Sequence, residues 1–224
     1  CTSGLATGTV IFTPANNHSG AWTIASATAG IQEAIRTVTV GGTLGNGPRV
    51  SMPLGDHIIR GPITADNYPD IGGAGTNSTA LLKGFAVGNL ITYGDAAPLS
   101  GIGGNLHDFQ IRVLPGITDA SGFAISIQNR YNVTVQNVTV YGDPNPGIGQ
   151  IHNAIELFNS LTVSILNVKV YWITGTGLYT RTTGGNQVTG RVQTLEITSG
   201  SSVNFLMYFT GNIVAFNVNG LQLQ

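Results

Sequence analysis

A short pattern that recurs five times is the feature that most restricts what this chain can fold into. Each copy has an apolar residue or glycine first, apolar residues third, sixth and eighth, and a small polar residue or glycine fifth. Successive copies begin 26 to 30 residues apart. A period of this size predicts a solenoid, because one unit cannot bury its apolar side chains without stacking on its neighbours. The copies are Gly104–Ile111, Val133–Val140, Val163–Val170, Gly190–Ile197 and Phe216–Leu223.

The fifth position of this pattern predicts a corner in each coil. Alternating residues of a strand point to the same face, and the extra residue shifts the alternation by one. The strand must therefore bend to keep its apolar side chains inward, and Asn and Asp tolerate the left-handed backbone of such a bend. At the strand spacing of about 4.8 Å, Asn137 and Asn167 are expected to form a side-chain amide ladder. The predicted corner residues are Asp108, Asn137, Asn167, Thr194 and Gly220.

A second strand precedes each copy of the pattern. Ala124–Ile127 and Ala154–Leu157 lie 30 residues apart, and Gly177–Thr180 and Phe205–Tyr208 match them on later coils. Two or three strands per coil predict a parallel β-helix. The leucine-rich repeat is the competing solenoid, but it requires leucine-rich positions and a helix or tight turn opposite each strand. This chain has Val, Ile and Phe at those positions.

Only one segment has a helical pattern. Ile31, Ala34 and Ile35 share a face at helical spacing. Glu33 near the start and Arg36 near the end are the charges that the helix dipole favours. A helix is therefore expected around residues 29–36, before Gly41-Gly42 prevents its continuation.

Composition narrows the possible functions. Nine Lys and Arg residues against ten Asp and Glu give a net charge of −1, so the chain lacks the basic surface of a nucleic-acid-binding protein. No apolar run reaches the roughly 18 residues of a membrane span. A single cysteine, Cys1, excludes an intrachain disulfide. Cys1 is either the lipid-anchored first residue of a bacterial lipoprotein or an ordinary processing boundary, and we expect the chain to belong to a longer protein.

Three stretches resemble a known superfamily. Gly30–Ile35 resembles its N-terminal capping helix, Val50–Ile59 resembles its first coil, and Ile71–Leu82 resembles its second coil. This is the pectate-lyase-like β-helix superfamily, which includes phage tailspikes and bacterial surface proteins. The resemblance extends over residues 29–224. It implies an all-β, right-handed, single-stranded parallel β-helix with a short N-terminal capping helix.

The resemblance implies a domain organisation but leaves the activity open. Residues 1–38 would form a strand layer and the capping helix, with Trp22 and Ile24 packed on that helix, and residues 39–224 would form one continuous β-helix. The superfamily includes lyases, hydrolases, epimerases, adhesins and inert shafts. The acidic motifs of polygalacturonases and the calcium-binding aspartates of pectate lyases are not found in this sequence, which counts against both subfamilies.

Candidate catalytic residues come from the few carboxylates in the chain. Glycoside hydrolysis requires two carboxylates that flank one bond. Glu156 lies at an outward position of a predicted strand, His152 precedes it by four residues, and Asp143 begins the long loop before both. With Tyr179 and Arg181 from the next coil, these residues could line one groove. The competing interpretation is an ordinary solvated strand face.

Aromatic residues suggest a place for sugars, because flat rings pack against pyranose faces. Tyr141 and Tyr171 follow equivalent strands on successive coils, and Trp172 is adjacent. These three, with Tyr179 and Arg181, are the predicted carbohydrate-binding residues. An aromatic stack that only stiffens the coil side would give the same pattern.

Other polar residues fit a stacked surface. Lys169 and Glu196 occupy equivalent positions and predict an exposed ion pair, whereas His107 and Gln136 predict a polar ladder. The histidines lack the spacing of metal ligands, so neither a metal nor a cofactor is expected.

Two functions follow from these residues. The first is a structural, adhesive or receptor-binding module directed at a polysaccharide or cell-surface glycan. The second is a polysaccharide depolymerase, either a glycoside hydrolase or a lyase, of the tailspike type. In both cases we expect a homo-oligomer, as a trimer or filament, that is secreted or displayed on a cell surface or virion.

Overall fold

The computed structural model describes residues 26–39, 49–65, 69–94, 101–145, 149–184, 186–198 and 205–223. Within these ranges the fold is nearly all β, with one helix, α1, at Ile31–Thr39. The strands are β1 (Arg49–Ser51), β2 (Gly55–Ile59), β3 (Ile63–Ala65), β4 (Asp70–Gly72), β5 (Thr79–Lys83), β6 (Ile91–Gly94), β7 (Gly101–Ile102), β8 (Asn105–Val113), β9 (Phe123–Gln128), β10 (Arg130–Tyr131), β11 (Thr134–Tyr141), β12 (Asn153–Phe158), β13 (Val163–Tyr171), β14 (Thr176–Arg181), β15 (Val188–Thr198), β16 (Phe205–Phe209) and β17 (Ile213–Leu223).

Two long sheets contain almost all of these strands. The first sheet has the order β1-β4-β8-β11-β13-β15-β17, with β5 also pairing with β8 and β2 pairing with β5. The second sheet has the order β3-β6-β9-β12-β14-β16, and β7 and β10 form a separate pair. Every strand pairing in the described ranges is parallel, which confirms the predicted parallel arrangement of the strands. From β11 to β17 the chain alternates between the two sheets, an arrangement consistent with a β-helix.

The register is the one that the repeat predicts. Val135 pairs with Leu106 on one side and with Ile165 on the other. Ile165 in turn pairs with Val192, and Val192 pairs with Val218. Equivalent pattern positions therefore stack directly over one another from β8 to β17.

Stacked inward positions form one continuous core. On β11 the side chains of Val135, Val138 and Val140 are fully buried, while the residues between them reach the surface. Each such aliphatic side chain stabilises the fold by about 1.5–3 kcal/mol relative to an exposed one. Ile155 on β12 and Leu178 on β14 contribute to the same core from the second sheet.

Corner residues have the left-handed backbone that the pattern requires. Asp108, Asn137, Asn167 and Thr194 have φ between 50° and 61°, and Gly220 has φ of 70°. Asn137 donates a hydrogen bond from Nδ2 to Asp108 Oδ1 at 2.9 Å. Asn167 donates in the same way to Asn137 Oδ1 at 2.8 Å. The corners of three successive coils are thus linked by side-chain hydrogen bonds.

A second ladder, which we did not predict, lies after the strands of the second sheet. Asn129 and Asn159 also have positive φ, and Asn159 Nδ2 donates to Asn129 Oδ1 at 3.2 Å. Asn159 Oδ1 accepts the main-chain N–H of Thr183 on the next coil at 2.9 Å. Asn129 and Asn159 lie 30 residues apart, so the repeat held the signal for this ladder.

Helix α1 lies against the first strand of each sheet. Ile31 and Ile35 are buried on this side, and the helix contacts β1 and β3. Gln32 Nε2 donates to the main-chain carbonyl of Thr64 at 3.0 Å, and Gln32 Oε1 accepts the main-chain N–H of Thr64 at 2.7 Å. The predicted packing of Trp22 and Ile24 lies outside the described residues.

Replacing Asn137 tests the corner ladder. We expect Asn137→Ala to lower the free energy of unfolding by about 2 kcal/mol, because two hydrogen bonds are lost and the left-handed backbone becomes strained. Asn137→Gly should cost less, since glycine adopts positive φ freely. Urea unfolding measures both, with Gln136→Ala, an exposed neighbour, as the control that should stay near wild type. Equal stability of Asn137→Ala and wild type would contradict the role of the ladder.

Candidate functional site

A polar groove crosses the outer face of the first sheet. It has a volume of about 510 Å³ and spans three coils. Side chains that alternate with the buried valines line it, so each parallel strand contributes residues at matching positions. The groove is lined by Asp108 and Gln110 of β8, Asn137, Thr139 and Tyr141 of β11, Asn167, Lys169 and Tyr171 of β13, and Gly75, Thr76 and Asn77 of the loop after β4.

The corner ladder also lines this groove, and its first member, Asp108, is held by a neighbouring histidine. Asp108 Oδ2 lies 2.7 Å from His107 Nδ1, and His107 Nε2 lies 2.9 Å from Asp70 Oδ1. The hydrogen bond with His107 holds the pKa of the Asp108 carboxyl below its usual value, against the opposing effect of burial. An ionised Asp108 can only accept hydrogen bonds, which fixes the amide nitrogen of Asn137 towards it.

Sequence reasoning missed the link between Asp70 and His107, because the two residues are far apart in the chain and Asp70 does not belong to the repeat. The register pairs Gly72 of β4 with His107 of β8. A Cβ atom at Gly72 would clash with the His107 ring. Glycine at this position therefore leaves the space in which the imidazole reaches Asp70.

Three aromatic rings cluster at one edge of the groove. Tyr141 and Tyr171 pair in register, with ring centroids 6.1 Å apart in an edge-on arrangement. Trp172 lies 4.9 Å from Tyr141 and 5.7 Å from Tyr171. All three rings are partly exposed. The structure therefore brings together the three residues predicted to form an aromatic platform.

A smaller pocket adjoins the groove at Tyr141, which lines both. This pocket has a volume of about 170 Å³, and Asp56, Arg112 and Asp143 are its charged residues. Asp143 Oδ1 accepts hydrogen bonds from the main-chain N–H and the side chain of Asn145, at 2.8 and 2.9 Å. Two carboxylates and a guanidinium thus share one pocket with an aromatic ring.

Glu156 occupies a different part of the molecule, on β12 of the second sheet. Only 2% of it is exposed. Its Oε2 accepts a hydrogen bond from Ser126 at 2.5 Å, and its Oε1 forms an ion pair with Arg181 Nε at 2.6 Å. Both carboxylate oxygens are therefore occupied by protein groups. This geometry favours a structural role for Glu156.

Arg181 and Tyr179 lie on β14, the strand that pairs with β12 next to Glu156. The Arg181 guanidinium also lies over the Phe158 ring, 4.2 Å from its centroid. Tyr179 stacks between Phe123, at 6.0 Å, and Tyr208, at 5.2 Å. These rings form an aromatic row across the second sheet that is separate from the Tyr141 cluster.

His152 makes contacts of its own near a buried ion pair. Its Nδ1 lies 3.2 Å from Thr174 Oγ1, and its main-chain N–H donates to Asp119 Oδ2 at 3.2 Å. Asp119 pairs with Lys83 at 2.6 Å, and both side chains are almost fully buried. Burial raises the pKa of Asp119, and the Lys83 ammonium opposes this effect. His152 therefore contacts residues of neighbouring coils, Asp119 and Thr174, and these contacts do not involve Glu156.

Apart from His152, the predicted site residues thus fall into two groups. Tyr141, Tyr171 and Trp172 lie along the first sheet, with Asp143 in the adjoining pocket. Glu156, Tyr179 and Arg181 lie on the second sheet. One groove that contains all of them does not form. The predicted surface pair of Lys169 and Glu196 is present at 3.7 Å and contributes about 1 kcal/mol at most.

Two further properties bear on function. Among the residues that the structure describes, no group of three or more His, Cys, Asp or Glu side chains is placed to hold a metal ion. No helix within the same ranges has the length and apolar character needed to cross a bilayer.

Comparison with known proteins supports the fold. The chain is similar in structure to a protein of Geobacillus virus E2, ORF18, with a TM-score of 0.51 and 14% identity over 87% of this chain. It spans only 38% of the length of that viral protein. A candidate glycosyl hydrolase from Parabacteroides merdae has a TM-score of 0.48 and 12% identity, with 88% of each chain covered. No family model matches this chain, and no curated protein matches it.

Replacing Glu156 separates a structural from a catalytic role. We expect Glu156→Gln to lower the free energy of unfolding by about 1–2 kcal/mol, because a charge-assisted hydrogen bond is lost. Glu196→Gln is the matched control and should cost less, since its ion pair is exposed and long. Thermal and urea unfolding measure both. A Glu156→Gln protein that keeps full stability but loses glycan cleavage would instead identify Glu156 as catalytic.

Proposed function

We propose that this chain is a carbohydrate-binding β-helix segment that holds a glycan in the groove on the first sheet. The observation that carries the proposal is the lining of this groove: amide and hydroxyl side chains predominate, Tyr141 and Tyr171 contribute aromatic rings, and Asp108 and Lys169 are its two charged residues. Sugar-binding sites combine these two properties, since hydroxyl groups need hydrogen-bond partners and pyranose faces pack on aromatic rings.

The setting that we propose is a virion or a cell surface. Structural likeness to a viral protein supports the virion. We further propose that the coils wind right-handed and that α1, which ends at Thr39, caps their N-terminal end. A lipid anchor at Cys1 remains part of the cell-surface alternative.

Binding without cleavage is the version of this function that the groove supports better. Asp108 is the carboxylate in the groove, and it is engaged by His107 and Asn137. Glu156 is buried on the other sheet. Neither carboxylate is free to donate a proton to a glycosidic oxygen or to attack a sugar.

A depolymerase is the second candidate, and one observation favours it. Asp56 and Asp143 line the same small pocket next to Tyr141, so two carboxylates could flank one glycosidic bond. If this pocket is catalytic, Asp143→Asn should stop the shortening of a polysaccharide that wild type cleaves, while binding persists. Size-exclusion chromatography of the glycan measures this, and the absence of any shortening by wild type would leave binding as the function.

Tyr141 tests the binding function directly. On a panel of bacterial polysaccharides, we expect wild type to bind at least one glycan. Tyr141→Ala should weaken that binding by about tenfold, because a ring shared by groove and pocket is lost. Tyr208→Ala removes a partly exposed ring from the second sheet and should bind like wild type. Calorimetry gives the affinities, and a wild-type protein that binds no glycan on the panel would refute the proposed function.

A further inference from the structure

The small pocket beside Tyr141 combines apolar surface with charged groups. Leu82 and Val113, which are 9% and 6% exposed, supply the apolar surface together with Pro115. The volume of about 170 Å³ is well below the roughly 300–1,000 Å³ of sites that enclose a whole drug-sized ligand. The pocket therefore suits one substituent of a glycan rather than the glycan chain.

The charged groups of this pocket are available to a ligand. Asp56 and Arg112 both line it, yet neither forms an ion pair or a side-chain hydrogen bond with any residue that the structure describes. Asp143 uses only Oδ1, which Asn145 binds, so within the same ranges its Oδ2 is unoccupied. The main-chain N–H of Asp143 donates to the Gly149 carbonyl at 3.2 Å, which holds this residue in place. The pocket thus offers a guanidinium that donates hydrogen bonds and carboxylates that accept them.

The strand register explains why these groups meet beside the groove. Arg112 of β8 pairs with Leu82 of β5 on one side and with Tyr141 of β11 on the other. The three side chains therefore follow one another on successive coils of the same outer face. Because Tyr141 lines both the groove and the pocket, a glycan in the groove would bring the substituent of one sugar to the pocket.

The charges exclude most of the substituents that sugars carry. A carboxylate would pair with Arg112 but would be repelled by Asp56 and Asp143, whereas an ammonium would pair with the two carboxylates but would be repelled by Arg112. Either ion would also lose water next to apolar side chains, which is unfavourable. A hydroxyl group has no apolar part to cover that surface.

An acetamido group matches every part of the pocket. Its methyl group can pack against Leu82, Val113 and Pro115. Its carbonyl oxygen can accept a hydrogen bond from Arg112, and its N–H can donate to a free carboxylate oxygen. An O-acetyl group lacks this N–H and would leave the carboxylates without a donor. The lining is therefore complementary to a neutral amide that carries a small apolar end.

We propose that this pocket binds the acetamido group of an N-acetylated amino sugar, so that the glycan held in the groove belongs to the class that contains such sugars. This inference rests on the proposed glycan-binding function and specifies its ligand. It gives Asp56 and Asp143 a role in recognition, whereas the depolymerase alternative gives them a role in cleavage.

Removing and restoring the acetyl groups of the ligand tests the proposal. Each polysaccharide of the bacterial panel is assayed by calorimetry as isolated, after de-N-acetylation with hydrazine, and after re-N-acetylation with acetic anhydride. We expect wild type to bind polymers that contain N-acetylated amino sugars. De-N-acetylation should weaken this binding by at least about tenfold, because the matched hydrogen bonds are lost and an ammonium faces Arg112. Re-N-acetylation should restore it.

Arg112→Met is the matched protein variant. Methionine keeps an unbranched apolar side chain but removes the hydrogen-bond donor, so de-N-acetylation should change the affinity of this variant by less than about threefold. Arg191→Met is the control, because Arg191 is also an exposed arginine of the first sheet but lines neither the groove nor the pocket. It should discriminate like wild type. Thermal unfolding should show that both exposed substitutions leave the fold intact.

The outcomes separate this inference from the function on which it rests. If wild type binds a de-N-acetylated polymer as tightly as the acetylated one, or if the discrimination survives Arg112→Met, the inference is wrong and glycan binding stands. Binding of a polymer that contains no N-acetylated amino sugar, at equal affinity, has the same meaning. If wild type binds no polysaccharide of the panel, the proposed function itself is refuted.

Discussion

Parallel stacking in a fixed register is the constraint on which the rest of the structure depends. From β8 to β17, each strand of the first sheet places the same pattern position directly over its equivalent on the previous coil. A slip by one residue would turn every apolar side chain outward, so the buried aliphatic columns hold the register. The polar ladders and the groove are consequences of that register, because they too require equivalent residues to meet.

The corner residues connect stability with the candidate site. Asn137 and Asn167 bend the strands, hydrogen-bond between coils and line the polar groove of the first sheet. Because Asp108 accepts at the start of this ladder, the amide groups along it point in one direction. A residue type chosen for a left-handed corner thereby also supplies the hydrogen-bonding surface that a polyhydroxylated ligand requires.

Charge is scarce, and a few of the charged side chains are buried inside the protein. Lys83 and Asp119 form a buried pair, and Glu156 and Arg181 form another with one buried partner. Removing one partner of such a pair destabilises the fold by more than the intact pair stabilises it, because the remaining charge is left without a partner. In the groove, neutral amides, hydroxyls and aromatic rings outnumber the two charged residues, Asp108 and Lys169, a composition that agrees with the proposed binding of a glycan.

The sequence alone determined the parallel strands, their register and the corner ladder, because all three follow from the spacing of similar residues along one repeat. It also brought Tyr141, Tyr171 and Trp172 together, since neighbours in the repeat become neighbours in space. Only the tertiary structure decided that Glu156 is buried on the opposite sheet from the groove, and that Asp70 reaches His107. The pattern specifies which residues stack on one another. Contacts between the two sheets, and contacts made by loops outside the repeat, depend on the path of the whole chain.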